Sequence, residues 1–448
     1  MYVTIKYYSI RNSNKQDMSH WFHRNCLKAT GPLDTKHLTP VLTSQKANQI
    51  VNELKQKRAQ LVSKMGDLLS DPRSTPVIEE YLPLIRGFAQ SVSGAASPLQ
   101  NLLKFRWTQS LGGRNPEVQN DAVFEIANVC VNIGLWYMKR AAKIASSNNY
   151  AEAEAKEVHT CLRTAAGIFE YVLDKVSPHL DSSKLEDWFD ITVPILTAYK
   201  LECTAEAQEV TVARAIELKH KPDLISALAH ETSKLFSDAD TALRECDVEF
   251  VTKWRRYLQV KIKFYAAYAR SFQGEYLLTL DKCGDSIKTL REAQKLYKEA
   301  QGLCKQYEHA PGNSVGEVRP ARHPFFQKLG PVIDLRLSKS ERENGFIYYQ
   351  KIPEELPELE LKATFGLAAP IPFEMPEVHA IFTEEAYKDF TVQETAPPKI
   401  TDGLTDLIFG KEPALDEFGM LPTKKKFFKP KMPGAKKSRF TPPCLLLF

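Results

Sequence analysis

From about residue 42 to residue 310 the chain is patterned for helix almost without a break. Glycine and proline are sparse inside the segments and gather between them. Such a run leaves few folds open, because each helix must bury an apolar stripe against another helix. TSQKANQIVNELKQKRAQLVSKMGDLL spaces its apolar residues at helical intervals among Lys, Glu and Gln and predicts one amphipathic helix. STPVIEEYLPLIRGFAQSV follows, with Pro76 placed for a helix start and Pro83 placed to kink the interior.

PEVQNDAVFEIANVCVNIGLWYMKRAAKIASS is apolar over most of its circumference, the pattern of a central helix. AEAEAKEVHTCLRTAAGIFEYVLDKV, LEDWFDITVPILTAYKLECTAEAQEVTVARAIELK, PDLISALAHETSKLFSDADTALREC, VTKWRRYLQVKIKFYAAYARSFQGEYLLTLDKC and GDSIKTLREAQKLYKEAQGLCKQYE continue the series. Their joints carry Ser-Pro, Lys-Pro or Cys-Gly, which end helices. Paired small residues in AAYARS, REAQKLYKEA and TAAGIF resemble stacked helical hairpins, although no strict repeat of about 34 residues is visible. The expected fold class is all-α with a solenoid-like body.

After residue 350 the texture changes. KIPEELPELELKATFGLAAPIPFEMPEV has prolines too frequent for helix. Its Leu356, Leu359, Leu361, Phe365, Leu367, Ile371 and Phe373 predict a segment that runs extended and docks on the body. FTEEAYKDF predicts one short helix, and from about residue 396 Pro, Lys, Gly and Thr predict disorder.

The formal net charge is +5. Much of the excess sits in Lys424, Lys425, Lys426, Lys429, Lys431, Lys436, Lys437 and Arg439, with no acid among them. The body is therefore close to neutral, which removes the main support for a nucleic-acid partner. The eight cysteines are scattered without a C-x-x-C pair and are expected to be reduced, mostly as small buried hydrophobes. The first residues lack a secretory apolar core, and no apolar run reaches about 18 residues, so a cytoplasmic protein is expected.

Signatures of chemistry are missing from the sequence. It contains no G-x-G-x-x-G, G-x-x-x-x-G-K-[ST] or H-E-x-x-H. His20 and His23 stand three apart in HWFHRN without a cysteine or carboxylate beside them, a pattern of packed or solvated histidines rather than a metal site. The many helical Glu and Asp residues stand three or four positions from Lys, as solvated ion-pair faces do. No enzyme activity, cofactor or metal is expected; a long helical body of this kind serves as a binding scaffold.

Several stretches resemble a known family. EAQEV (Glu206 to Val210), with its helix running on through TVARAIELKHKPDLISALAHE, is similar to the signature of the BRO (Bro-one) domain. ENGFIYYQKIP, DAVFEIANVCVNIGLWY, TAAGIFEYV and IPFEMP fit the same family, and the likeness covers roughly residues 18 to 380. It implies a boomerang-shaped helical domain over 18–395 with a tetratricopeptide-like core, after a flexible 1–17 and before a polybasic 396–448. It also implies a partner: the C-terminal amphipathic helix of ESCRT-III subunits, the charged multivesicular body proteins.

Carried over by position, the helix-binding residues are Thr211, Arg214, Leu224 and Leu228. Leu224 and Leu228 are four apart and share a helix face, which equally describes core leucines. Arg214 would pair with an acid on the ligand. Thr211 departs from the aromatic that stands there in much of the family. Tyr348 occupies the position of an exposed, phosphorylatable tyrosine, with Tyr349 as a neighbour able to take that role. The alternative reading is a general helical scaffold joining a cytoskeletal or nuclear-envelope partner to membranes.

The chain ends TPPCLLLF. Short members of the family end in a prenylated cysteine fourth from the end, whereas Cys444 is fifth from the end. Cys444 is therefore a candidate lipidation site one residue out of register, and the cations upstream supply a second membrane signal. The expected location is peripheral, at endosomal or nuclear membranes.

Overall fold

The computed structural model describes residues 21–35, 38, 42, 44–66, 78–112, 116–146, 152–180, 190–312, 319–359 and 366–390. The extension 1–17, His20, Pro76 and the polybasic tail 396–448 with Cys444 lie outside the described residues.

Ten α-helices are described: α1 (Gln45–Gly66), α2 (Ile78–Ala89), α3 (Ala122–Ala145), α4 (Glu152–Tyr171), α5 (Val193–Glu217), α6 (Pro222–Ala242), α7 (Val248–Thr279), α8 (Cys283–His309), α9 (Pro324–Glu343) and α10 (Glu384–Lys388). Each of α3 to α8 packs on the next in the chain. Helix α3 is buried over most of its circumference, as its composition requires, and its N-cap Asp121 accepts from the Val123 amide. Pro83 sits inside α2 without ending it. The segment after residue 350 docks over 351–359 and 366–382 and the short α10 forms, as their sequences predict; Leu361 and Phe365 lie outside the described residues.

Three expectations change. The fold is mostly helical rather than all-α, because β1 (Phe105–Trp107) pairs antiparallel with β2 (Glu117–Gln119). Phe105 and Trp107 bury while Arg106 is exposed, the alternation of a half-buried strand. EVQ (Glu117–Gln119) is thus strand, not the start of α3. Of the helix expected from Leu185, residues 185–189 lie outside the described residues; residues 190–192 form a turn, α5 begins at Val193, and Pro194 takes its first turn. Helix α9 was not legible, since Pro324 and Pro331 punctuate it. Pro324 starts it and Pro331 lies on its exposed side.

Glycine lets the C-terminal segment come close. A Cβ on Gly167 of α4 would stand 1.7 Å from the Ile371 carbonyl oxygen, and the Ile371 amide donates to Arg163 O at 3.0 Å. Arg163 Nε in turn donates to Ala369 O at 2.7 Å, so residues 369–371 lie flat on that helix.

Candidate functional site

Helices α5 and α6 form a hairpin joined by Leu218, Lys219, His220 and Lys221. The Lys219 amide donates to Ile216 O and the His220 amide to Ala215 O, both at 3.0 Å, with Lys219 in the left-handed region at φ 55°. This is a helix stop of the Schellman type, with lysine where glycine is usual. It turns Leu218 outward, leaving it 53% exposed. Pro222 then starts α6 at a position where no amide is needed.

The hairpin and α4 enclose an open, mainly apolar groove of about 600 Å³. All four residues expected from the family resemblance line it: Thr211 and Arg214 from α5, Leu224 and Leu228 from α6. Leu228 is only 3% exposed and forms floor, whereas Leu224 is half-buried and forms wall. The Thr211 hydroxyl donates to Ala207 O at 3.3 Å, which leaves its methyl as the apolar contact.

Arg214 is already paired, with Glu217 Oε2 at 2.7 Å and Glu152 Oε2 at 3.0 Å. Both partners are largely exposed, so the pairs are weakly held and exchangeable. No sequence pattern points to the far wall. Leu367 reaches the groove from the docked C-terminal segment, and His159 from α4. Burial and nearby Arg163 push the His159 imidazole down to about 4, against a hydrogen bond with the Leu367 backbone. His159 is therefore neutral at physiological pH. Leu218 belongs to the groove too, and its only sequence signal was an apolar residue directly before a helix stop.

The opposite face of α5 does something else. Glu202, Glu206 and Glu209, at and just before the EAQEV signature, are buried. Arg24 grips Glu206 with two hydrogen bonds of 2.9 and 2.7 Å, and the Tyr257 hydroxyl donates to it at 2.6 Å. Lys261 Nζ donates to Glu209 Oε2 at 2.6 Å and lies 3.7 Å from the Trp21 ring centre. Trp254 Nε1 donates to Glu202 at 2.9 Å. Burial and the neighbouring Glu206 hold the Glu202 carboxyl well above the ordinary range. The signature thus locks the core, and the residues just after it face the groove.

His23 sits in the same interior. Its Nδ1 lies 3.0 Å from the Tyr307 hydroxyl and its Nε2 3.2 Å from Asn25 Oδ1. Since Asn25 Nδ2 donates to Tyr199, Oδ1 accepts and the imidazole proton is on Nε2. Burial pushes this imidazole down to about 3. Neither His23 nor Glu202 lines the groove; both are enclosed by their partners. Among the described residues no group of three or more His, Cys, Asp or Glu is arranged to hold a metal, and no helix is long and apolar enough to cross a membrane.

Tyr348 closes a π-helical turn (Asn344–Tyr348) after α9 and is half-buried. Its hydroxyl donates to Asp281 Oδ1 at 2.5 Å, which pushes the phenol up to about 12. Phe346, Ile347 and Tyr349 stand out in solvent around it, so Tyr348 is not packed on them as core.

Comparison with known proteins agrees with this architecture. The family model described as BRO1-like domain matches residues 40–394. The human BRO1 domain-containing protein BROX is 45% identical over 385 residues, covering 85% of this chain and 92% of that protein. Its Caenorhabditis elegans homolog is 36% identical over 394 residues, with the same coverage. Among solved structures, the ALIX BRO1 CHMP4C complex matches with a TM-score of 0.59 at 21% identity, over 81% of this chain and 98% of that one. A structure described as the basis for endosomal targeting by the Bro1 domain matches at 0.58 and 19%, over 83% of this chain and 97% of that one. At those identities the structures speak for the fold alone. The family model and the relatives establish more: this chain belongs to the BRO1-domain family.

Proposed function

We propose that the groove between α4, α5 and α6 receives the apolar face of a C-terminal amphipathic helix from an ESCRT-III subunit. The chain then acts as an adaptor at endosomal or nuclear-envelope membranes. One observation carries this reading: Thr211, Arg214, Leu224 and Leu228, from the two arms of one helical hairpin, line one open apolar groove. The solved ALIX BRO1 domain, which shares this fold, is in complex with CHMP4C. A helix-in-groove ligand would seat aliphatic anchors at successive turns on Leu224, Leu228 and Leu218. Its acid would take Arg214 from Glu152 or Glu217. Because Thr211 is small, the ligand supplies the bulk at that end of the groove.

The test is a titration of ESCRT-III C-terminal helical peptides against the intact chain. Leu228→Asp would report on folding, since Leu228 is floor. Leu218→Asp with Leu224→Asp leaves the floor in place and should weaken binding about 30-fold or more. Undiminished affinity in that double variant would remove the groove from the reading.

Membrane attachment through the cations from Lys424 to Arg439 and a lipid on Cys444 belongs to the same proposal. Intact-mass measurement of chain made in eukaryotic cells decides the lipid. Phosphorylation of Tyr348 would require its release from Asp281; Tyr349 needs no such release.

A further inference from the structure

Helix α9 packs on α8 and α7 through Phe325, Phe326, Leu329, Ile333 and Leu337, and nothing in the described chain covers its other side. Lys328, Val332, Leu335, Lys339 and Arg342 recur there at intervals of three and four, so they share one face about 80° wide, and Phe346 follows them in the π-helical turn. All six are exposed; Leu335 is 72% and Phe346 77% open to solvent. At the end of the stripe the π-helical turn adds Ile347 and Tyr349, the latter 75% exposed.

That turn is built, not loose. The Tyr349 amide donates to Asn344 O at 2.7 Å, and Tyr349 is in the left-handed region at φ 50°. The Asn344 side chain donates to Gln350 O at 3.0 Å and accepts from the Gln350 amide at 2.9 Å. Gln350 Nε2 donates to Asp281 O at 2.6 Å, while its Oε1 accepts from the Gly284 amide at 3.0 Å. A strained, many-times-braced turn that holds two aromatics and an isoleucine in water indicates a ligand for them.

The charges of α9 are sorted. Asp334 accepts from Gln294 at 2.9 Å and Glu341 pairs with Arg291 at 2.8 Å, both toward α8. Glu343 stands at the edge of the stripe, 3.9 Å from Lys339. The stripe itself holds only cations and apolar groups. Aromatics at one level with Lys and Arg beside them match the interfacial zone of a bilayer.

We propose that this face of α9, with Phe346, Ile347 and Tyr349 as its tip, is a membrane-contact surface for anionic lipid. It is separate from the groove and from the C-terminal tail, and gives the folded body its own hold on the bilayer.

The test uses the full chain with Cys444→Ser and the eight tail cations changed to Gln, so that tail binding does not mask the body. This parent should sediment with vesicles of equal phosphatidylserine and phosphatidylcholine and much less with phosphatidylcholine alone. Lys339→Glu with Arg342→Glu should lower that partition by roughly 30-fold or more. Phe346→Trp adds an indole whose emission should shift to the blue and be quenched by brominated lipid. The proposal fails if the parent shows no dependence on phosphatidylserine, if the double charge variant binds like the parent, or if the added indole is not quenched. Capture of an acidic amphipathic peptide by the same side chains, without vesicle binding, would also overturn it.

Discussion

Residues 21–30 and the later stretch of residues 351–359 and 366–382 both cross the helices as irregular, mostly extended chain, but they are held in opposite ways. The first is held by side chains driven into the interior. Arg24 meets Glu206, Lys28 Nζ meets both oxygens of Asp190 at 2.7 and 2.8 Å, and Trp21 meets the Tyr257, Phe264 and Phe326 rings edge-on. The second sends only Ala368 and Phe382 fully into the interior and makes its polar contacts through its backbone. Its carbonyls accept from side chains of the body: Pro357 from Arg270, Glu358 from Gln273, Ala369 from Arg163, and Met375 and Pro376 from Arg86. The early segment is fixed chiefly by buried charged and aromatic side chains; the late one is fixed by half-buried apolar side chains and by backbone carbonyls that the body's surface grips.

The contrast predicts where each segment breaks. Arg24→Ala would leave Glu206 charged, buried and short of two donors. Removing one member of a buried pair costs about 3–5 kcal/mol. The midpoint of urea unfolding should fall steeply with an unchanged slope. A loss within 1 kcal/mol would mean that water replaces the guanidinium and that the early segment is no more specified than the late one.

For the late segment the matching change is made on the helix beneath it. Gly167→Ala puts a methyl where the Ile371 carbonyl lies. Helix propensity favours the alanine, so only the crowding opposes it. The expected result is detachment of residues 369–375 for about 1–3 kcal/mol, an overpacking cost, with the helices intact. Hydrogen exchange should rise at the Ile371 amide and leave α4 protected. Equal loss of protection in both would show that the segment is part of the cooperative core.

The same contrast explains what could be read from the sequence. The helices α3 to α8 were legible because each buries a periodic apolar face. Docking of the late segment was legible from its prolines and regularly recurring Leu and Phe residues. Leu224 and Leu228 showed their common face through spacing alone, but their place in a groove came from the family resemblance. Leu367 could not be foreseen as groove lining, because only the path of the docked segment brings it to α4 and α5. Glu202, Glu206 and Glu209 read as ordinary helical acids, since their partners Arg24, Trp254 and Lys261 lie far off in the chain. Helix α9 was hidden by two prolines that it tolerates, one at its start and one on its exposed side.

His23 gives the smallest and most specific test. Its imidazole stays neutral in the fold down to about pH 3, chiefly because burial excludes the charge, while the unfolded chain takes the proton near pH 6.5. Between those values the unfolded state binds more protons, so this group makes stability fall as pH is lowered below 6.5, by up to about 1.4 kcal/mol per pH unit. Glu202, whose carboxyl is raised, acts with the opposite sign, which is why the comparison must be between variants. His23→Gln keeps a polar side chain between Tyr307 and Asn25 but removes the titration. Unfolding free energies at pH 7, 6 and 5 should fall less steeply in the variant than in the native chain, by about one proton near pH 5. Parallel pH profiles would mean that His23 is protonated in place, and that the early segment's side chains are less tightly enclosed than their geometry requires.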